Sequence, residues 1–398
     1  MLVIACPGQG AQAPGFLSPW LEVPGVADRL GAWSELAGCD LIKYGTTASA
    51  DEIADTAVTQ PLLAAAALVT AEVLCGGLAQ ARRVAGIAAG HSVGELAAGA
   101  IAGVISADDA MRLIGVRGRA MAEASGRQPT GMTVILGGEQ ADVLARLADC
   151  GLTPANINGA GQIVAAGSRA QLDALAADPP PRTRLRPLSV AGAFHTEHMA
   201  PAVHALREAT AGVTVSDPQI MLLSNADGAA VASGADWLER IINQVSAPVR
   251  WDECMRSMTA LGGSALVELL PGGTLTGLAR RAIKGIETAA LKTPSDLDAA
   301  RSLAAQHGGP EPSDEGHVPE WRLIVSPMAG TFRAGNGSDQ ITPGAGIAAG
   351  TQLGHIEVRS GQHPVSPSYP GTMLEWLVED GDPVDAGQPL VRLTPEDA

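Results

Sequence analysis

Lysine is almost missing from this 398-residue chain: Lys43, Lys284 and Lys292 are all it has. Beyond residue 292 there is therefore no side-chain amine to carry a covalently attached group. Positive charge as a whole is short. The 26 lysines and arginines face 42 aspartates and glutamates, a formal net charge of −16. That balance argues against nucleic acid and anionic membranes as partners. No apolar run reaches the eighteen or so uncharged residues that a bilayer span requires. The N-terminus, Met1 to Cys6, has no basic region and passes straight into Pro7-Gly8-Gln9-Gly10. It reads as a buried first strand, not a signal peptide. Cysteine is also sparse. Cys6, Cys39, Cys75, Cys150 and Cys254 are odd in number and far apart, which excludes a disulfide framework and predicts reduced core thiols in a cytoplasmic protein. No Cys/His spacing resembles a metal site, so no metal is expected.

What the chain does have is a large apolar fraction, 46%, with 48 glycines dispersed along it. Its length suffices for two or three domains. Strand-like and helix-like segments alternate at first: Leu2-Cys6, Gln60-Cys75 (helix), Val84-Ala89, then helices over Ser92-Val104 and Ala107-Ala124. This predicts an α/β protein with a parallel sheet covered on both faces. From about Gly126 to Gly192 the order becomes β-α-β-β-α-β, the ferredoxin-like arrangement, so a small inserted subdomain is expected. The α/β character then returns, with strands over Ile220-Ser224 and Ala265-Leu269 and a closing helix over Leu275-Ile286. Residues 293–320, polar and rich in Pro and Gly in their second half, read as a linker. The remainder, 321–398, alternates short β-rich runs (Trp321-Val325, Leu353-Val358, Met373-Val378, Pro389-Leu393) with turn signals and predicts a small all-β domain. Charge marks the same division: residues 294–398 carry 15 acidic and 5 basic side chains, net −10 of the total −16.

One segment points to chemistry. Gly90-His91-Ser92-Val93-Gly94 lies between the apolar run ending at Ala89 and a helix beginning with Glu95-Leu96. Strand, G-x-S-x-G and helix together form the context of a nucleophile elbow, with glycines where a side chain would block the sharp turn. The serine would sit at a helix N-terminus, whose free N–H groups favour developing negative charge. A glycine-rich turn capped by a serine would look the same in this pentapeptide alone. A serine hydroxyl needs a base. Among 8 histidines, His195 in Gly192-Ala193-Phe194-His195-Thr196 stands out, in a loop after the last subdomain strand.

Taken together, residues 1–292 resemble malonyl-CoA:acyl carrier protein transacylases and the acyltransferase domains of polyketide synthases. The resemblance rests on eight segments in family order: Pro7-Gly8-Gln9-Gly10-Ala11-Gln12, Thr59-Gln60-Pro61, the elbow with Glu95, Arg117-Gly118-Arg119-Ala120-Met121, Asn156 to Gln162, Gly192 to Thr196, Asn243-Gln244 before Pro248-Val249-Arg250-Trp251, and Leu270 to Leu278. It implies a hydrolase-like parallel-sheet core and a role for each matching position. Ser92 would be the nucleophile and His195 its base, oriented by the backbone carbonyl of Gln244 in place of an acid. The backbone N–H groups of Gln9 and Val93 would form the oxyanion hole. Arg117 would grip the free carboxylate of a malonyl group, since its fork donates two charge-assisted bonds and stays protonated. Phe194 would disfavour an α-methyl branch, and Gln60 and Asn158 would line the pocket. His91 and His198 receive no catalytic role.

Residues 321–398 resemble a biotinyl/lipoyl domain, a flattened β-barrel of two related halves. The matches are Ser326 to Thr331, Ser366 to Thr372, Val378 to Val384 and Gly387 to Leu390. Carriers of this kind place a lysine on the hairpin between the halves; here Ile356-Glu357-Val358-Arg359-Ser360 puts Ser360 there. Neither arginine nor serine supplies an amine that can lose its proton, so neither biotin nor lipoate is expected.

The expected reaction moves a malonyl group from malonyl-CoA to the phosphopantetheine thiol of an acyl carrier protein through an acyl-serine, without a cofactor. Arg82-Arg83, Arg182 with Arg184, or Arg280-Arg281 with Lys284 could receive the acidic carrier. A synthase or carboxylase partner for the C-terminal domain stays open. Two other readings use the same residues: a carrier-protein thioester hydrolase, and a non-catalytic assembly subunit. The intact Ser92, His195 and Arg117 weigh against the second.

Overall fold

A computed structural model describes residues 1–188, 190, 192–309, 322–335, 341–358, 361–367 and 370–395. Leu2–Cys6 is the middle strand of a five-stranded sheet, ordered Glu287–Ala290, Ala265–Glu268, Leu2–Cys6, Ile87–Gly90, Met221–Leu223, every pair parallel. Both faces are covered. Leu2, Ile4 and Cys6 enter one core, Val3 and Ala5 the other, as an uninterrupted apolar strand requires. On the first face lies Thr56–Cys75, capped by the Asp55 side chain and ended by Gly76 at φ 79°. By length and composition this helix could cross a membrane, although Glu72 interrupts its uncharged run. Here Leu62, Leu63, Ala65, Leu68 and Val69 are buried against the helices and strands of the first core, which accounts for its all-round hydrophobicity.

Between Thr130 and Pro187 the chain forms strands Thr130–Gly137, Thr153–Gly159, Gln162–Ser168 and Thr183–Pro187, with helices Gln140–Asp149 and Arg169–Ala177. The sheet is antiparallel, with Thr130–Gly137 between Thr183–Pro187 and Gln162–Ser168, and Thr153–Gly159 outside the latter. The short strand Val249–Arg250 extends it in parallel beside Thr153–Gly159 and so ties the insertion to the main body.

The chain separates into two units between residues 311 and 312. This corrects the expected linker, whose first half is folded into the first unit. After the turn Pro294–Asp296, Leu297–His307 is a helix packed on Ala265–Glu268, Glu287–Ala290 and Thr56–Cys75. Leu297, Ala300, Leu303 and Ala304 recur at helical spacing and are buried, and Thr293 with Asp296 forms a capping box. The Pro- and Gly-rich composition begins only at Gly308. Residues 310–320 lie outside the described ones.

Among its described residues the second unit holds two four-stranded antiparallel sheets. One runs Arg322–Val325, Pro389–Pro395, Gly371–Trp376, Gly346–Ile347; the other Gly361–Val365, Gly354–Val358, Gly330–Ala334, Pro383–Val384. Phe332, Ile356, Met373, Leu390 and Leu393 share its core. Arg359 and Ser360 lie outside the described residues.

Candidate active site

The elbow depends on its glycines. A Cβ on Gly90 would stand 2.0 Å from the carbonyl carbon of Gly94, and one on Gly94 would stand 2.3 Å from the Cys6 carbonyl oxygen. With both absent, the strand Ile87–Gly90 turns sharply into the helix Gly94–Ile101, and the His91 N–H donates to Cys6 O at 3.0 Å. That bond holds the elbow against the end of the first strand, and Gly8 lets the next turn approach: a Cβ there would meet the His91 ring at 2.7 Å. Ser92 itself sits at φ 51°, a left-handed conformation costly for any residue but glycine. Asn225 braces it. The Ser92 N–H donates to Asn225 Oδ1 at 2.7 Å, and Asn225 Nδ2 donates to Gly90 O at 2.8 Å.

Ser92 Oγ lies 2.7 Å from His195 Nε2, and His195 Nδ1 lies 2.8 Å from the Gln244 carbonyl oxygen. A carbonyl can only accept, so Nδ1 carries the proton and Nε2 presents its lone pair to the serine hydroxyl. Burial, reinforced by the Arg117 charge, pushes His195 down to about 3, which keeps the ring neutral and able to accept. His195 is also left-handed, at φ 61°.

Arg117 is buried on the helix Ala107–Ser125. Its Nη1 donates to Gln60 Oε1 at 2.7 Å and its Nη2 to Gln244 Oε1 at 2.8 Å, with Ser92 Oγ 3.5 Å from Nη2. Nε–H is buried and reaches no acceptor among the described residues. An unused donor on the guanidinium edge beside the serine is suited to a ligand carboxylate. Burial lowers Arg117 to about 10 although Glu95 nearby raises it, so it stays charged at neutral pH. The N–H groups of Gln9 and Val93 likewise donate to no group among the described residues. Together these parts can deprotonate a hydroxyl, receive an oxyanion and hold an anionic tail.

Residues 5–299 match the model of the acyl transferase domain family. The malonyl CoA-acyl carrier protein transacylase of Mycolicibacterium smegmatis is 54% identical over 292 residues, 72% of this chain and 100% of that protein. The chain belongs to this family. A crystal structure of MCAT from Mycobacterium tuberculosis superposes with a TM-score of 0.72 at 50% identity, over 75% of this chain and 99% of that one. A malonyl-transacylase solved in complex with a type II PKS acyl-carrier protein does so at 0.67 and 29% identity, covering 76% and 99%.

Within the family frame, the structure gathers Ser92, His195, Arg117, Gln60 and Gln244 at one point. Phe194 is buried directly before His195. Asn158 is one step removed: its Oδ1 lies 2.8 Å from His91 Nε2, and the His91 ring meets Trp251 edge-on, centroids 5.6 Å apart. His198 takes no part; its N–H donates to Thr196 Oγ1. Three features escaped the sequence reading. Asn225 was legible only as the polar residue just past a buried strand, a place where parallel sheets present site residues. The Gln244 side chain, besides its carbonyl, links Arg117 to Glu95. Glu95, although inside the elbow motif, had no assigned task. The Leu270 to Leu278 motif is structural instead: the Glu268 carboxylate accepts the N–H groups of Gly273, Leu275 and Thr276 at 2.8–2.9 Å and caps the helix Thr274–Ala282.

Proposed function

We propose that this chain transfers a malonyl group from malonyl-CoA to the phosphopantetheine thiol of an acyl carrier protein. The observation that carries the reading is the buried guanidinium of Arg117, its Nε unsatisfied and its Nη2 3.5 Å from Ser92 Oγ. The malonyl carboxylate occupies that guanidinium edge and so sets the thioester carbonyl against Ser92. As Oγ attacks, its proton passes to His195 Nε2 and the imidazolium shares its charge with the Gln244 carbonyl. The tetrahedral oxygen takes the free N–H groups of Gln9 and Val93. Collapse breaks the C–S bond, and His195 returns the proton to the leaving coenzyme A thiolate. The carrier thiol then repeats the sequence in reverse on malonyl-Ser92. Phe194 narrows the space beside the α-carbon, a preference of about 1–3 kcal/mol against a methyl branch. For the carrier, Arg280, Arg281 and Lys284 are the best-suited of the basic clusters, exposed and without an acidic partner among the described residues. Arg182 by contrast pairs with Glu139 and Arg82 with Ile101 O.

Intact mass after brief mixing with malonyl-, methylmalonyl- and acetyl-CoA tests this reading. Malonylation at the Ser92 peptide should exceed both other adducts. Free coenzyme A without an adduct would assign a hydrolase, and neither adduct nor turnover would leave an assembly subunit.

The second unit we read as a biotinyl/lipoyl-like domain that carries no prosthetic group. Two four-stranded antiparallel sheets support the likeness, and the hairpin of Gly354–Val358 with Gly361–Val365 is where a carrier's lysine would stand. With no lysine beyond 292, no amine is present to be acylated. Protein co-expressed with biotin and lipoate ligases should show its unmodified mass; a biotinyl or lipoyl increment on residues 312–398 would refute this.

A further inference from the structure

Glu95 is buried beside the site, yet the transfer chemistry gives it no task. Its Oε2 accepts from Gln244 Nε2 at 2.6 Å and from the Asn225 N–H at 3.1 Å, while Oε1 is buried and makes no well-formed hydrogen bond among the described residues, although the Ser224 hydroxyl is near enough to act on the carboxylate. Gln244 bridges two charged groups. Its Oε1 must face Arg117, which can only donate, and its Nε2 must face Glu95, which as a carboxylate can only accept. The empty site thus holds one guanidinium and one carboxylate, joined through one amide, in a water-poor interior. Bringing in a second carboxylate on Arg117 leaves the pocket with a net negative charge, and two acids sharing one cation in a low dielectric do not both stay ionised. A neutral acyl chain brings no such conflict.

We propose that Glu95 is a positioning residue that serves as counter-ion to Arg117 in the empty site and takes up one proton from solvent when the acyl carboxylate replaces it. Loading of a carboxylated thioester is then coupled to proton uptake and weakens as pH rises. The inference rests on the malonyl reading of Arg117. Uptake falls to Glu95 and not to its neighbours. Burial already lifts it to about 7, against the pull of the Asn225 N–H, the Gln244 and Ser224 side chains and, last, the Arg117 charge. The other titratable groups around it stay as they are. Cys254, on the helix Trp251–Ala260, is held protonated well above its usual range by burial, and Asp227 and Asp252 act on it in the same direction. His195 and His91 are both pushed down by burial and stay neutral. The sign follows from linkage. A group whose affinity for protons rises on binding favours the complex below its free-site value and opposes it above, so affinity falls up to tenfold per pH unit beyond about pH 7.

The test is calorimetry of the full-length Ser92→Ala protein, which cannot turn over, with malonyl-CoA and acetyl-CoA in buffers of different ionisation enthalpy from pH 6 to 8.5. The expected result is uptake approaching one proton per malonyl-CoA near pH 8, little at pH 6 and none with acetyl-CoA. In the Ser92→Ala/Glu95→Gln double variant both the uptake and the pH slope should disappear. Malonyl-CoA binding without uptake at pH 8, or undiminished uptake in the Gln variant, overturns the role of Glu95 and leaves the malonyl reading intact. Failure of malonyl-CoA to bind at all would overturn that reading and this inference with it. If the Gln variant does not fold, the comparison of malonyl- with acetyl-CoA still decides.

Discussion

Ser92→Ala and His195→Ala each lower malonyl transfer by about 10,000-fold or more, and the double variant is no slower than the worse of the two. The non-additivity follows from geometry. In the proposed mechanism the hydroxyl becomes nucleophilic only through the 2.7 Å bond to Nε2, and Nε2 presents its lone pair only because Nδ1 is committed to the Gln244 carbonyl at 2.8 Å. Removing either end removes the same activated oxygen. The expected residual rate is what Arg117 and the two free N–H groups would still give in that mechanism by binding and polarising the thioester. Pre-steady-state release of coenzyme A measures the effect, and two single losses that multiply in the double variant would refute a shared unit. The wild-type pH profile carries a second mark of the arrangement. With His195 pushed to about 3, the ring remains a free base well below the ordinary imidazole value, so kcat/KM for acetyl-CoA should hold between pH 7 and pH 5. Acetyl-CoA is the substrate to use, since it brings no second carboxylate to Arg117 and couples no proton uptake to its binding. The same shift destabilises the fold in acid. Unfolded His195 binds a proton below about 6.5 and the buried ring does not, so that stability is lost as pH falls through this window.

What sequence reasoning could reach divides along a physical line. Elements whose signal lies in their own residues were legible: the unbroken apolar strand Leu2–Cys6, the helix Ala107–Ser125 behind the capping Ser106, and the alternation that gives the inserted antiparallel sheet. Leu297–His307 was missed because its four buried positions, two leucines and two alanines, sit among polar residues just ahead of a Pro- and Gly-rich segment. At the site, the elbow could be read because its glycines answer to steric needs within five residues. His195 and Arg117 could be picked out by side-chain chemistry and motif, but only the fold shows them meeting Ser92. Asn225 and the Gln244 side chain act across 133 and 152 residues of sequence on the Ser92 backbone, and neither contact leaves a local pattern. Glu95 was hidden for a different reason: an acid in a helix's first turn already has an ordinary explanation in the helix dipole. Its burial, not its position in the chain, makes it unusual.

Arg117→Ala collapses the preference for malonyl- over acetyl-CoA, lowering kcat/KM for malonyl-CoA by about 100- to 1,000-fold and changing that for acetyl-CoA by no more than a few fold. A buried charge-assisted pair lost from one side costs about 2–5 kcal/mol, and tenfold corresponds to about 1.4 kcal/mol. The loss falls on malonyl alone because acetyl has no carboxylate to offer Nε and Nη2. Its thioester still meets Ser92, His195 and the free N–H groups. Arg117→Lys separates charge from shape. The ammonium keeps the cation but cannot donate to Gln60, Gln244 and two ligand oxygens from one plane, so it should recover only part of the malonyl rate. The alanine variant also strands Gln60 Oε1 and Gln244 Oε1 in a buried site, at about 1–3 kcal/mol for each unsatisfied acceptor. Thermal unfolding must therefore accompany the kinetics, so that a fall in both substrates is recognised as loss of fold. A folded Arg117→Ala protein that still prefers malonyl-CoA would show that the carboxylate is held elsewhere. The orphaned Nε would then need another acceptor. With Gln60 and Gln244 already engaged and Glu95 reached only through Gln244, none of these groups supplies one.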